Sequence, residues 1–160
     1  MIRLAKIDDI SDILNLLEEI REVHHKLRPD LFKEKGYKYN SEELKLIINN
    51  PNTPIFVYDD NNKVIGYAMT NITTYENHNV IHDMKTLYID DLCVERIYRG
   101  KNIGHQLYDY VLNYANQIGC HNITLNVWTG NDNAIRFYES LGLKPQKICM
   151  EKIIKWKLKC

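Results

Sequence analysis

No charge of one sign dominates this chain. Its 160 residues carry 21 basic and 21 acidic side chains, a formal net charge of zero. Bulk charge therefore gives no pull toward a polyanion, and no nucleic-acid partner is expected. The distribution is mildly uneven, −3 over residues 1–80 and +3 over residues 81–160, which makes the second half the easier place for an anion site. Cysteine is scarce. Cys93, Cys120, Cys149 and Cys160 form no C-x-x-C pair and no Cys/His cluster with zinc spacing. That excludes a zinc finger or ribbon, leaves no metal expected, and favours free thiols in a reducing cytosol. No apolar stretch approaches the roughly 20 residues that span a bilayer, so no membrane partner is expected. The opening run MIRLAKIDDISDIL has aspartates where a secretory signal needs an apolar core, so a cytoplasmic protein is expected. There is no repeat, no low-complexity segment and no linker. A single domain over 1–160 is the expectation, long enough to bury a proper core.

What is present is a regular succession of strand and helix patterns. Met1–Lys6 alternates as a first strand. Asp8 or Asp9 can cap a helix whose apolar face is Ile10, Ile13, Leu14, Leu17 and Ile20. It ends near Arg28, which precedes Pro29 and is biased away from helix. Asn40 and Glu43 have the spacing of a capping box and open a short helix that stops before Pro51. Two β-rich runs flank the turn Asp59–Asn62, and Lys85–Val94 is the next strand. Ile103, Leu107, Val111, Tyr114 and Ile118 form one helical stripe, ended by Gly119. His121–Trp128 reads as a strand. Asn131–Gly142 reads as a short helix with Ala134, Phe137 or Tyr138, and Leu141 inward. Lys144–Cys160 supplies one or two last strands, with Trp156 and Leu158 alternating against Lys155, Lys157 and Lys159. The predicted order is β-α-α-β-β-β-α-β-α-β-β, and the unit Tyr88–Trp128 makes its two strands parallel neighbours.

The segment VERIYRGKNIG, Val94–Gly104, joins the strand to the best helix. A Walker A loop would need glycine at position 95 and serine or threonine at 102; these are Glu95 and Asn102. A dinucleotide loop starting at Gly100 would need glycines at 102 and 105, which are Asn102 and His105. Both patterns fail, and a nucleotide switch goes with them. The physics of the turn remains: helix N-terminal amides lack partners within the helix and favour an anion. Arg99 and Lys101 add charge, and asparagine tolerates positive φ better than other residues with a side chain. Taken alone, the loop fits a phosphate cradle and a solvated basic turn equally.

A second motif follows. Asn131, Ala134, Tyr138 and Gly142 fit N-x-x-A-x-x-x-Y and a following glycine, after Arg99-Gly100-Lys101-Asn102-Ile103-Gly104, which fits [RQ]-x-x-G-x-[GA] at its ends and departs from it at Asn102. Together, Leu87–Leu143 resembles the GNAT superfamily of acyl-coenzyme A-dependent N-acetyltransferases. The resemblance implies an α/β fold with a mixed, strongly twisted sheet in which two parallel strands splay to form the cofactor cleft. It implies acetyl-coenzyme A as cofactor. The amides of Arg99, Gly100, Lys101, Asn102, Ile103 and Gly104 would hold its pyrophosphate. Main-chain groups of Leu92, Cys93 and Val94 would pair with the pantetheine arm. Asn131 and Ala134 would lie near that arm, Tyr138 beside the sulfur, and a homodimer is the family-level expectation.

The reaction so implied asks for particular groups. An amine near the lysine reference pKa of about 10.4 is mostly protonated at neutral pH and must lose a proton before attacking a thioester. A carboxylate can hold the cation and take or relay that proton. A phenol keeps its proton until about pH 10 and can give it to the departing sulfur, the role expected of Tyr138. Asp90 and Asp91 lie side by side in YIDDLCV, and strand alternation sends them to opposite faces unless a bulge intervenes. This run is similar to that of the diamine acetyltransferases, which puts Asp90 on their catalytic glutamate with a shorter side chain. His24-His25 are adjacent on a helix and do not converge on a metal. Cys93 has no histidine neighbour in sequence, so direct transfer in a ternary complex is preferred to an acyl-cysteine. Tyr37, Tyr39 and the segment HKLRPDLFK would line the acceptor side. The acceptor is a primary amine, either a small polyamine-like cation or a peptide N-terminus or lysine. An acyl-coenzyme A sensor without turnover is the reading from another class.

Overall fold

The computed structural model describes residues 1–155. Its elements are β1 (Ile2–Leu4), α1 (Ile10–Leu27), α2 (Ser41–Ile48), β2 (Ile55–Asp60), β3 (Lys63–Tyr75), β4 (Met84–Val94), α3 (Ile103–Gln117), β5 (Asn122–Leu125) and α4 (Asp132–Ser140). Single 3-10 turns lie at Ile7–Asp9 and Arg96–Tyr98. One sheet runs in the order β1-β2-β3-β4-β5. Its first four strands are antiparallel, and β5 lies parallel to β4.

The two faces of the sheet bury different helices. Ile55, Val57, Tyr67, Met69 and Cys93 pack against Ile13, Leu16 and Leu17 of α1 and Leu44 of α2. Phe56, Ala68, Leu87 and Ile89 pack against Tyr108, Val111 and Ala115 of α3. The alternation Ile55, Phe56, Val57 between clusters is the two-residue period of a strand covered on both sides. Burial of each large side chain contributes roughly 1.5–3 kcal/mol. The expected helix faces hold, widened by Leu16 on α1 and by Tyr108 and Ala115 on α3. Among the described residues no helix is long and apolar enough to cross a membrane.

Local chemistry sets most boundaries. Asn61 and Asn62 both take positive φ, 53° and 68°, which a two-residue hairpin turn between β2 and β3 requires. The capping box forms: Asn40 Oδ1 accepts from the Glu43 amide at 2.9 Å and Glu43 Oε2 from the Asn40 amide at 2.8 Å. Asp9 precedes α1, but its side chain does not cap that helix. Its carboxylate instead accepts from the Lys6 amide and from Arg3, which also bonds Asp59.

Two expectations change. The strand His121–Trp128 shortens to Asn122–Leu125. The last one or two strands are not formed over Lys144–Lys155; there Ile148, Met150, Ile153 and Ile154 stand exposed. Alternation supplies a pattern, but a strand also needs a neighbour to bond, and among the described residues 144–155 pair with none. The alternation at Trp156 and Leu158, and Cys160, lie outside the described residues. Cys93, Cys120 and Cys149 are free thiols.

Candidate active site

The β4 strand does not keep one alternation along its length. Met69 pairs with Asp91 and Thr70 with Ile89, which leaves Asp90 as an extra residue in β4. Before this bulge Leu87 and Ile89 face α3; after it Cys93 faces α1, while Leu92 and Val94 join the α3 side. The opposite-face placement of Asp90 and Asp91 that regular alternation predicts is thereby overturned. Both carboxylates reach one ammonium group, with Lys38 Nζ donating to Asp90 Oδ2 at 3.0 Å and to Asp91 Oδ2 at 2.8 Å. The Tyr39 hydroxyl also donates to Asp90 Oδ2, at 3.3 Å.

Burial makes the two acids unequal. The Asp91 side chain is 4% exposed and that of Asp90 35%. Burial raises the Asp91 carboxyl above its ordinary range, although Lys38 pulls it back. Burial would lower the Lys38 ammonium, but the two carboxylates outweigh it and hold the proton well above the usual lysine range. His24, half-buried close by, is pushed down by burial against the opposing pull of Asp91. Tyr67 lies fully buried beneath, its hydroxyl without a hydrogen-bond partner among the described residues.

Lys38 and Tyr39 belong to the connection between α1 and α2, residues 28–40, which carries no helix or strand. Both of its ends are fastened. Arg28 binds Asp30 through two hydrogen bonds of 2.9 and 2.7 Å, pairs with Glu151 at 2.7 Å and lies 5.4 Å over the Trp128 ring. Phe32 meets Trp128 edge-on at 5.6 Å, and its carbonyl is bonded by His25 Nδ1 at 2.8 Å. At the other end stands the Asn40 capping box. This strap therefore holds Lys38 over the bulge.

Beside the bulge the sheet opens. β5 pairs with β4 only from Thr86 to Ile89, so among the described residues Asp90–Val94 have no neighbour on that edge. Tyr138 of α4 lies within electrostatic reach of Asp91 and Cys93. Burial first, then the negative charge of Asp91, raises its phenol well above the ordinary value. Cys93 is buried, donates its thiol to the Leu16 carbonyl at 3.6 Å and is pushed up to about 12 by burial. It stays protonated at neutral pH, so it offers no thiolate to carry an acyl group.

The loop after β4 has the backbone that its sequence permits. Gly100 and Asn102 take positive φ, 77° and 64°, and Asn102 then accepts the first helical hydrogen bond, from Gln106, at 3.1 Å. Among the described residues, no backbone or side-chain acceptor takes the amide protons of Gly100 to His105. The side chains behave differently from the amides. Arg99 turns back, donating to the Val94 carbonyl at 2.9 Å and to Glu19 at 3.1 Å. Lys101 lies 4.9 Å over the Tyr98 ring. Ile103 is a core residue, leaving only its amide outward. A Cβ on Gly104 would come within 3.2 Å of the Phe137 ring, so this glycine lets α4 pack on the start of α3. Asn131 accepts from the Ala134 amide at 3.3 Å and caps α4.

The structure thus gathers Asp90, Asp91, Cys93 and Tyr138 around the bulge and leaves the loop 99–104 as a separate row of free amides. Arg28 lies in the segment expected on the acceptor side, but Lys38 and Trp128 were not marked as site residues by sequence. Each is an ordinary side chain until the strap brings it to the sheet. A shared origin accounts for this layout: the sequence model of the acetyltransferase (GNAT) family matches residues 17–143. The chain belongs to the GNAT acetyltransferase family.

GNAT relatives agree. The bovine (Bos taurus) thialysine N-epsilon-acetyltransferase is 28% identical over 155 residues, covering 89% of this chain and 82% of that protein. An uncharacterized N-acetyltransferase of Methanocaldococcus jannaschii is 26% identical over 92% of this chain, which spans only 62% of it. Among solved structures, a mutant of the BH1408 protein of Bacillus halodurans superposes with a TM-score of 0.92 at 28% identity, over 97% of this chain and 99% of that one. The GNAT family uses acetyl-coenzyme A. The row of free amides at the start of α3 and the opening beside β4 fit an anionic, elongated molecule of that kind.

Proposed function

We propose that this protein transfers an acetyl group from acetyl-coenzyme A to a small cationic primary amine, by direct attack within a ternary complex. The observation that carries this reading is the pair Asp90–Asp91, which the bulge turns toward one ammonium group at the open end of the sheet. Acetyl-coenzyme A supplies the activated acyl group as a thioester. The amides from Gly100 to Gly104 would hold its pyrophosphate, and the edge of Asp90–Val94 that β5 leaves open would line its pantetheine arm, with Asn131 and Ala134 nearby. Val94 contributes its amide, because its carbonyl already accepts from Arg99.

Asp91 and Asp90 bind the acceptor as its ammonium ion. Asp91, raised by burial, is the better placed to take the proton that the amine must lose, since a base works best with a pKa near the operating pH. Tyr138, held protonated, donates to the departing sulfur. The strap over the acids supports a small acceptor over a protein tail, because a folded partner has little room beneath it.

Thiol release from acetyl-coenzyme A tests this, screened over diamines, basic amino acids and lysine peptides. Release with small cationic amines is expected. Release with peptides alone would overturn the acceptor assignment, and coenzyme binding without release for any acceptor would favour a sensor.

A further inference from the structure

The acceptor subsite assigned above is already filled by the chain itself. Lys38 Nζ makes two charge-assisted hydrogen bonds, and one of its partners, Asp91, is almost wholly buried. A carboxylate in that position offers little of itself to solvent, so an incoming ammonium meets Asp91 only where Lys38 now stands. We propose that Lys38 holds the acceptor-amine position as a tethered competitor, and that a cationic acceptor binds by exchanging with it while the strap bows outward. The inference rests on the acetyltransferase reading and adds to it a rule of entry.

Three features make the exchange physically reasonable. The Lys38 side chain is 35% exposed, so its ammonium can pass to water without crossing the core. Residues 33–39 lack helix or strand, so little regular structure is lost when they move. The buried Asp91 carboxylate penalises any state in which no cation replaces Lys38, because an uncompensated buried charge is costly. Lys38 leaves readily only when another cation arrives. Neutral or anionic ligands of similar size are therefore rejected, and specificity arises from the displaced group as well as from the acids. The apparent affinity of an acceptor is lowered by the fraction of time that Lys38 is seated.

The test reads Lys38 directly. The protein, without acetyl-coenzyme A, is labelled with an amine-reactive ester, and modification of Lys38 is followed by mass spectrometry. The probe ligand is a tertiary diamine such as tetramethylputrescine, which neither consumes the reagent nor accepts an acetyl group. Labelling of Lys38 rises by about tenfold with the diamine if exchange occurs. Labelling that stays constant or falls overturns the proposal, since a ligand that binds elsewhere or under a seated Lys38 can only leave it alone or shield it. Kinetics give the second readout. Lys38→Met lowers KM for a cationic acceptor by about tenfold, a larger change than in kcat, whereas Lys38→Arg keeps the high KM. A raised KM in Lys38→Met would instead make Lys38 part of the acceptor site and overturn the exchange. If the wild-type protein acetylates no amine, the functional reading fails, while the labelling result still stands for or against exchange.

Discussion

Asp90 and Asp91 are adjacent in β4, yet their carboxylates meet at a single atom, Lys38 Nζ, at 3.0 and 2.8 Å. One inserted residue brings them together, and burial leaves them unequal. Asp91→Asn is expected to reduce kcat/KM for amine acetylation by about 100-fold or more, as loss of a general base does. Asp90→Asn, at a half-exposed carboxylate, costs about fivefold. Steady-state thiol release with one acceptor compares the two, and the reverse ranking would make Asp90 the base. The rate in the wild type is expected to fall as pH drops through the Asp91 pKa, which lies above the ordinary carboxylate range because of burial.

Tyr138→Phe is expected to lower kcat by about 100-fold and to leave coenzyme binding, measured by calorimetry, largely intact. Turnover within a few-fold of wild type would remove the phenol from the mechanism.

The cradle loop separates backbone from side-chain effects. Asn102, at φ 64°, already stands in the left-handed region, so Asn102→Gly relieves local strain. Asn102→Ala loses about 1 kcal/mol there. Tighter coenzyme binding in Asn102→Gly would mean that the asparagine side chain crowds the pyrophosphate; equal binding would mean that the loop accommodates it. Gly104→Val drives a branched side chain into the Phe137 ring and destabilises the fold by about 2 kcal/mol, read by urea denaturation.

Acid stability depends on the other end of the sheet. Burial alone would raise the Asp9 carboxyl, but the hydrogen bonds from Arg3 and from the Lys6 amide lower it below its usual value. Arg3 also lowers Asp59. A carboxyl depressed in the folded state stabilises the protein above its unfolded pKa, and that contribution is lost as pH falls through the folded value. Chemical denaturation should therefore show stability declining below the ordinary aspartate range. In Arg3→Met, stability drops by about 3 kcal/mol near neutral pH, because Asp9 is left buried without its partner, and the acid decline becomes shallower.

The legible parts of this protein are those written in local chemistry. The Asn40–Glu43 box, the two asparagines of the β2–β3 turn and the stripe from Ile103 to Val111 act through neighbours a few residues away, and the sequence displays them directly. Asp90 and Asp91 were visible as a pair of acids, but their common orientation was not. The bulge depends on the register against Met69 and Thr70, about twenty residues earlier in the chain. Lys38 was hidden for the same reason, since nothing in KGYKYN marks one lysine over the other. The last strands failed in the opposite sense: Ile148, Met150 and their neighbours carry an apolar pattern, yet among the described residues they pair with no strand, although β5 leaves an edge of the sheet open.

The strap is pinned at Arg28 and Phe32 on one side and at Asn40 on the other, with Lys38 and Tyr39 in the span between. Such a segment behaves like a bowstring: it can arch away from the sheet, but neither end can swing clear. The entrance it controls would therefore widen as a slit. Long, thin molecules threaded end-on pass through a slit more easily than branched ones, so acceptor shape should matter alongside acceptor charge.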